Sequence, residues 1–211
     1  MHIMSSLVLI DESYKNLDKI TTRYSIGHAI LNEGIALEFH EWVAGVVESD
    51  HLRFDATRKL HFTELSPAQR DRLVEKICKL PITFKVYVTY VNRAASSSTN
   101  TKLDLLAGSV RHHERNKPRS KYIVEDASEY RSVHRVLPDI DIESVNFPDN
   151  KALLLPDVLL GVFCGFLDVQ DPKKSTDIIK WHTLIYNQIR LEVIDYQPKD
   201  KLFLTRDRKL I

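Results

Sequence analysis

Ser6 to Ile10 reads Ser-Leu-Val-Leu-Ile and stops directly on Asp11-Glu12-Ser13. An apolar run this short, without alternation, is buried on both faces, which suits a central strand of a sheet covered on both sides. Everything else in the chain has to be placed around that strand. Tyr24–Asn32 predicts a second strand, antiparallel to the first across a polar connection. Ile35–Glu48 carries Ile35, Phe39, Trp42, Val43, Val46 and Val47 at helical spacing, although a strand at its start fits as well. Lys59–Phe62 fits a short strand.

Ser66-Pro67 followed by Gln69 is a capping box with Pro at the first helical position, and the helix it opens stops before Pro81. Thr83–Val91 alternates as a strand. Ala94–Thr101 is linker-like, rich in Ser and Thr, and reads as a mobile loop. Leu103–His113 predicts a helix with a basic end: Arg111, His112, His113, Arg115, Lys117, Arg119 and Lys121. Then follow a strand at Lys121–Val124, a helix at Ser128–Leu137, a strand at Ile142–Phe147 and an apolar helix at Leu153–Leu167. Thr176–Ile189 is a further helix, and Leu191–Leu204 allows a last strand. Strands first, then helices alternating with strands, predict an α/β chain with a mixed sheet flanked by helices. With 211 residues and a hydrophobic share of 43%, one domain with an extension is expected.

Composition excludes several functions. Thirty basic residues face 29 acidic ones, a net charge of +1, so no global field steers the chain to a polyanion. Cys78 and Cys164 make neither a disulfide framework nor a Cys-rich zinc site, and both fall in apolar helical patterns. No signal peptide and no apolar run of about 18 residues is present, so a cytoplasmic location without a membrane span is expected. Six glycines and no phosphate-cradling loop argue against the usual nucleotide-binding folds. Ser13 lacks a Gly-x-Ser-x-Gly elbow. His112 and His113 are adjacent, so on a helix they diverge by about a hundred degrees and read as a solvated basic face. His61, beside Phe62, reads as packing.

What remains is acidic. Asp11-Glu12, Glu125-Asp126 and Asp149 each follow a predicted strand, and Asp157 stands in the first turn of the helix after the last one. An acid directly after a buried strand is costly unless it caps, pairs or binds a cation. Ligands of open α/β sheets bind beyond the strand ends, and Mg²⁺ takes one or two carboxylates with waters and substrate phosphate. A structural role as turn former or helix cap is open for each acid taken singly.

The opening strand with Asp11-Glu12-Ser13, the pair His61-Phe62 followed by Glu64-Leu65, Glu125 with Ser128 three residues on, and Asp149-Asn150-Lys151 ahead of Leu153-Leu154-Leu155-Pro156-Asp157 together resemble the domain of unknown function 3800 family. The likeness covers about residues 6–167 and leaves about 168–211 as a C-terminal helical extension. It implies a ribonuclease-H-like fold and a divalent-metal-dependent nuclease acting on DNA or RNA with Mg²⁺ or Mn²⁺, one or two ions. It also implies Asp11, Glu125 and Asp157 as catalytic metal ligands, with Glu12, Asp126 and Asp149 as outer or alternative acids. Lys151, or Arg111, Arg115, Lys117 and Arg119, would hold the substrate backbone. The chain departs from the family where Gly becomes Tyr14, Ser becomes Asn150, Gln becomes Leu154 and Ala becomes Pro156. These departures favour the alternative, a catalytically degenerate module that binds a protein partner or a second copy of itself.

Overall fold

A computed structural model describes residues 6–49, 61–92, 98–126, 133–147, 149–197, 200 and 202–206. Its strands are β1 (Leu7–Asn16), β2 (Thr21–Leu31), β3 (Thr83–Asn92), β4 (Lys121–Glu125), β5 (Ile142–Val145), β6 (Arg190–Gln197) and β7 (Leu202–Thr205). They form one seven-stranded sheet in the order β5-β4-β1-β2-β3-β6-β7. β2 runs antiparallel to β1 and β3, β7 antiparallel to β6, and the other pairings are parallel. The helices are α1 (Glu33–Ser49), α2 (Pro67–Cys78), α3 (Ser98–Asn116), α4 (Val133–Val136), α5 (Leu154–Leu167) and α6 (Thr176–Gln188). The expected class, a mixed sheet flanked by helices, is the one observed.

The apolar run of β1 makes it the central strand. Leu7 and Leu9 enter the core on one face, with Phe39 of α1, Val74 and Ile77 of α2, Val158 and Leu159 of α5, and Trp181 of α6. Val8 and Ile10 enter the core on the other face, with Leu105, Leu106 and Val110 of α3 and Val133 of α4. Period-two alternation therefore feeds two cores from one strand. α2 starts as its capping box requires: the Ser66 hydroxyl accepts from the Gln69 N–H (3.3 Å), and the Gln69 side chain accepts from the Ser66 N–H (2.9 Å). α5 is buried over most of its circumference, as a helix that is apolar nearly all round must be.

Several expectations are corrected. β1 does not stop at Ile10. It runs through Asp11-Glu12-Ser13 to Asn16 because β2 continues beside it as far as the Asn16–Thr22 pair. The linker-like Ala94–Thr101 segment is helical from Ser98 onward; 94–97 lie outside the described residues. Of the possible strand at Lys59–Phe62, 59 and 60 lie outside them, and Phe62 opens a single 3-10 turn, Phe62–Glu64. Of the helix expected at Ser128–Leu137, Val133–Val136 is described as helical, and 128–132 lie outside. The C-terminal extension contains α6 but also β6 and β7. Leu191, Val193 and Ile194 are buried, so β6 gives β3 the second neighbour that a doubly buried strand requires.

His113 is not on a solvated face. It is 0% exposed, because the stripe Leu106, Val110, His113 repeats at helical spacing and faces the sheet. Its ring lies edge-on to Tyr122 and 6.0 Å from the ring of the equally buried His28. His112 Nδ1 lies 3.2 Å from the Tyr87 hydroxyl. Both cysteines are free thiols, Cys164 buried and Cys78 half-buried. Among the described residues no helix is long and apolar enough to cross a membrane.

Candidate functional site

β4 ends where β1 goes on. The ladder between them closes with Leu9 beside Ile123 and Ile10 beside Val124, so the next step along both strands brings Asp11 level with Glu125. Leu9 and Ile123 share one core, and Ile10 and Val124 share the other. Alternation then returns Asp11 and Glu125 to the face covered by α5. Two half-buried carboxylates thus stand on adjacent strands, about 4.8 Å apart in backbone spacing. They sit where β1 loses its β4 neighbour, at the carboxyl-terminal edge of the parallel strands, where open α/β sheets bind ligands.

Asp157 approaches from α5. Gly27 is the cross-strand partner of Asp11. A Cβ on Gly27 would lie 2.9 Å from the Phe84 ring and 3.3 Å from Leu160 Cβ, so the missing side chain lets α5 settle on the sheet at the level of Asp11. Asp157 is one helical turn before Leu160. Its carboxylate is occupied in a definite way: Oδ2 accepts from the Phe62 N–H at 2.9 Å, and Oδ1 lies 3.7 Å from His61 Nδ1. The other end of α5 is fixed by Asp168. That residue accepts from the buried Arg23 guanidinium at 2.7 and 3.1 Å and pairs with Lys15 at 3.1 Å. Burial, which opposes the charged form, is the largest influence on Arg23, yet the Asp168 partnership leaves its pKa raised.

The remaining acids separate. Glu12 points to the opposite face and pairs with Lys102 Nζ at 3.1 Å. Asp126 is exposed and accepts from the Ser144 hydroxyl at 3.3 Å, while its N–H bonds to the Val145 carbonyl. Asp149 is an exposed turn residue. Asn150 caps the turn Lys151–Leu153 by accepting from the Ala152 N–H at 3.1 Å. The Lys151 N–H donates to His40 Nδ1 at 3.1 Å, which ties this turn to α1 at the same edge of the sheet as Glu125.

The basic residues of α3 are elsewhere. α3 leads back to Lys121, which pairs with Leu7 at the start of β1. Arg111, whose guanidinium donates to the Val136 carbonyl at 2.6 Å, and Arg115, Lys117 and Arg119 therefore lie toward the edge of the sheet away from Asp11 and Glu125. Of the expected backbone-binding residues, Lys151 lies on the turn that follows β5, whose last residue, Val145, pairs with Glu125. The sequence shows which stripe of α3 is basic but not which edge of the sheet its end reaches; that follows from the return to β4.

The donor chemistry suits a hard divalent cation, since both groups offer carboxylate oxygen only. A Mg²⁺ ion needs no more than one or two such groups when substrate phosphate and water complete its octahedron. Among the described residues, no group of three or more His, Cys, Asp or Glu side chains is arranged to hold a metal. The expected cage of Asp11, Glu125 and Asp157 is thus represented by the pair Asp11 and Glu125, with Asp157 engaged by the His61–Phe62 turn one helical turn away. Sequence reasoning had no signal for that engagement, which joins residues separated by 95 positions.

No family model matches the chain, and no curated protein matches it. Among solved structures it is similar to ribonuclease H2 from Pyrococcus horikoshii OT3, at 13% identity over 73% of this chain and 69% of that one, with a TM-score of 0.41. It is also similar to a point mutant of Bst-RNase HIII, at 12% identity over 78% of this chain and 56% of that one, with a TM-score of 0.38. The chain's own strand order, β5-β4-β1-β2-β3 with β2 alone reversed among the five, gives it a ribonuclease-H-like α/β fold.

Proposed function

We propose that this chain is a divalent-metal-dependent nuclease that hydrolyses phosphodiester bonds of DNA or RNA, and that it is related to the domain of unknown function 3800 family. One observation carries the reading: Asp11 and Glu125 fall on the same face of adjacent parallel strands at the point where the ladder between them ends. When bound there, Mg²⁺ or Mn²⁺ supplies a Lewis acid and lowers the pKa of a water. Asp11 and Glu125 would hold the ion, Lys151, on the turn after β5, would meet a substrate phosphate, and Asp157 fixes the Phe62 backbone. The packed helices on that face, α1 and α5, exclude water from behind the pair.

A second reading has its own support. Leu154 and Pro156 stand where the resembling family carries polar and small residues, and both are buried. Surroundings that would orient a ligating Asp157 have become core, and outer hydrogen-bond partners tune metal sites. On this reading the chain keeps the fold and binds a protein partner or a second copy of itself.

Cleavage of end-labelled single- and double-stranded DNA and RNA, with Mg²⁺, with Mn²⁺ and with EDTA, decides between them. Metal-dependent cleavage of at least one substrate, abolished by EDTA and by Glu125→Gln, is expected. Intact substrate in every lane with folded native protein rules out the nuclease and leaves the interaction module.

A further inference from the structure

We infer that the notch where β3 and β6 diverge is a binding site for a small organic cation, an ammonium group carried on an apolar body. It is independent of the nuclease reading, since β3 is two strands across the sheet from β1 and Asp11. The notch follows from register. The parallel ladder between β3 and β6 ends with Val88 beside Asp195. Beyond that rung β3 stays with β2, as far as Asn92 beside Thr21. β6 stays with β7, as far as Gln197 beside Leu202. Two ribbons thus leave one sheet, and the space bordered by both is a cavity of about 1000 Å³. It opens beyond the carboxyl ends of two parallel strands, where open α/β sheets take ligands, and it has the size of a small-molecule site. α3 borders it with Thr101 and Asp104.

The lining sets the charge of the occupant. Among the described residues it carries three acids, Asp104, Asp195 and Asp200, and one cation, Arg206. Arg206 already donates to Asp195, through Nε at 2.7 Å and Nη2 at 2.6 Å. That partnership is the largest influence on the guanidinium and, with the Tyr90 phenol, raises its pKa against burial. Asp104 and Asp200 have no counterion among the described residues. The surplus charge is negative, which disfavours phosphate and favours a cation. The walls are apolar and aromatic: Tyr90 is 46% exposed and Leu204 44%, and Tyr196 stacks on Phe203 with ring centroids 4.7 Å apart. Asp104 is near enough to Tyr196 to add to burial in raising the phenol's pKa. Carboxylates beside aromatic rings suit an ammonium group, by charge and by the attraction of a cation to a ring face.

An acidic rim in water needs no ligand, but a buried hydroxyl needs a partner. Thr89 lines the notch and is 2% exposed. Its Oγ1 has no hydrogen-bond partner among the described residues. Val86, Val88 and Val91 stand around it on β3, so the strand would accept valine at this position too. The hydroxyl is an unmet acceptor at the wall of a negatively charged cavity, and an ammonium N–H supplies the donor it lacks.

Phenethylamine, phenethyl alcohol and phenylacetate test this, because they carry one ring with a cationic, a neutral and an anionic head group. Each is titrated into the native chain at neutral pH and followed by thermal melts and backbone amide chemical shifts. Phenethylamine at millimolar concentration is expected to raise the melting temperature and to shift the amides of Thr89, Val91, Asp195 and Tyr196. The alcohol should bind several-fold more weakly, and phenylacetate should not bind. Asp104→Asn should weaken phenethylamine about two- to fivefold, as loss of an exposed ion pair does. Thr89→Val should weaken it about two- to tenfold, as loss of a hydrogen bond does. The same variant should leave the ligand-free melting temperature unchanged or higher, because no existing bond is removed. No binding of phenethylamine, equal binding of all three probes, amide shifts confined to other parts of the sheet, or unchanged affinity in both variants overturns the inference. A lower ligand-free melting temperature in Thr89→Val also overturns it, since the hydroxyl would then already be bonded.

Discussion

Asp11→Asn is expected to abolish the metal-linked rise in melting temperature and to lower cleavage by more than the ~10–100-fold that loss of an outer hydrogen-bond partner costs a metal site. The substitution keeps shape and strand geometry and removes one charge. Asp11 sits within β1 with its backbone paired to β2, so the sheet has no reason to change. In the native chain, saturating Mg²⁺ or Mn²⁺ at about a hundred times its Kd adds roughly 2.7 kcal/mol of stability. For a chain of this size, that raises the melting temperature by about 5–10 °C. Asn at position 11 removes one of the two carboxylate ligands, so the ion is held more weakly. Asp157→Asn should behave differently: its carboxamide oxygen still accepts from the Phe62 N–H, and most of the metal-linked rise should survive. Thermal melts across a metal titration read both. An unchanged rise in Asp11→Asn would place the cation elsewhere.

Stability is expected to fall steadily as the pH drops from about 6.5 toward 4, mainly from His28 and His113, with a smaller part from His182, which burial also holds below its ordinary value. His28 and His113 are both 0% exposed. Burial, first, and then His113, Lys85 and His112 hold the His28 imidazole well below its ordinary value. Burial, then Lys85 and Lys117, lower that of His113 to about 4. Among the described residues, the Nδ1 atoms of both are buried without a hydrogen-bond partner, so a proton added there meets no acceptor.

The sign follows from linkage. Above about pH 6.5 both imidazoles are neutral whether the chain is folded or not, and they contribute no pH dependence. Below it, the unfolded chain takes up protons that the native chain refuses, and stability is lost at up to about 1.4 kcal/mol per pH unit for each histidine. His113 stops contributing below about pH 4, where the native chain also takes its proton. Melting temperatures between pH 7.5 and 5, a window above the ordinary carboxylate range, isolate the effect. The native chain should lose several degrees, and the His28→Gln, His113→Gln double variant should show a much flatter dependence. A flat native profile would mean that α3 does not cover these rings.

The parts of the fold that were legible in the chain are those whose signal is local. The apolar run before Asp11 identified the central strand, and Ser66-Pro67 with Gln69 placed the start of α2 to the residue, because a capping box is written within four positions. What was not legible depends on partners distant in sequence. The end of β1 was misplaced because Asp-Glu-Ser reads as a turn, whereas β2 supplies a ladder partner as far as Asn16. β6 was only a possibility because its strand character is settled by pairing with β3. The basic neighbours of His113 suggest a solvated face, whereas its spacing from Leu106 and Val110 puts it on the inner stripe.

At the candidate site, the acids themselves were visible, but not their division of labour. Register alone brings Asp11 beside Glu125, and alternation alone sends Glu12 to Lys102 on the other face. The fixing of Asp157 by Phe62 belongs to tertiary structure, as does the removal of the α3 arginines to the far edge.

The most direct measurement is a crystal structure of the native chain grown with Mn²⁺, with anomalous scattering collected at the manganese edge. A peak within ligation distance of both the Asp11 and Glu125 carboxylates is expected, and it should be absent from crystals of Asp11→Asn. A manganese-soaked native crystal with no peak there, or with these two carboxylates turned apart onto separate Lys or Arg partners, would contradict the shared cation.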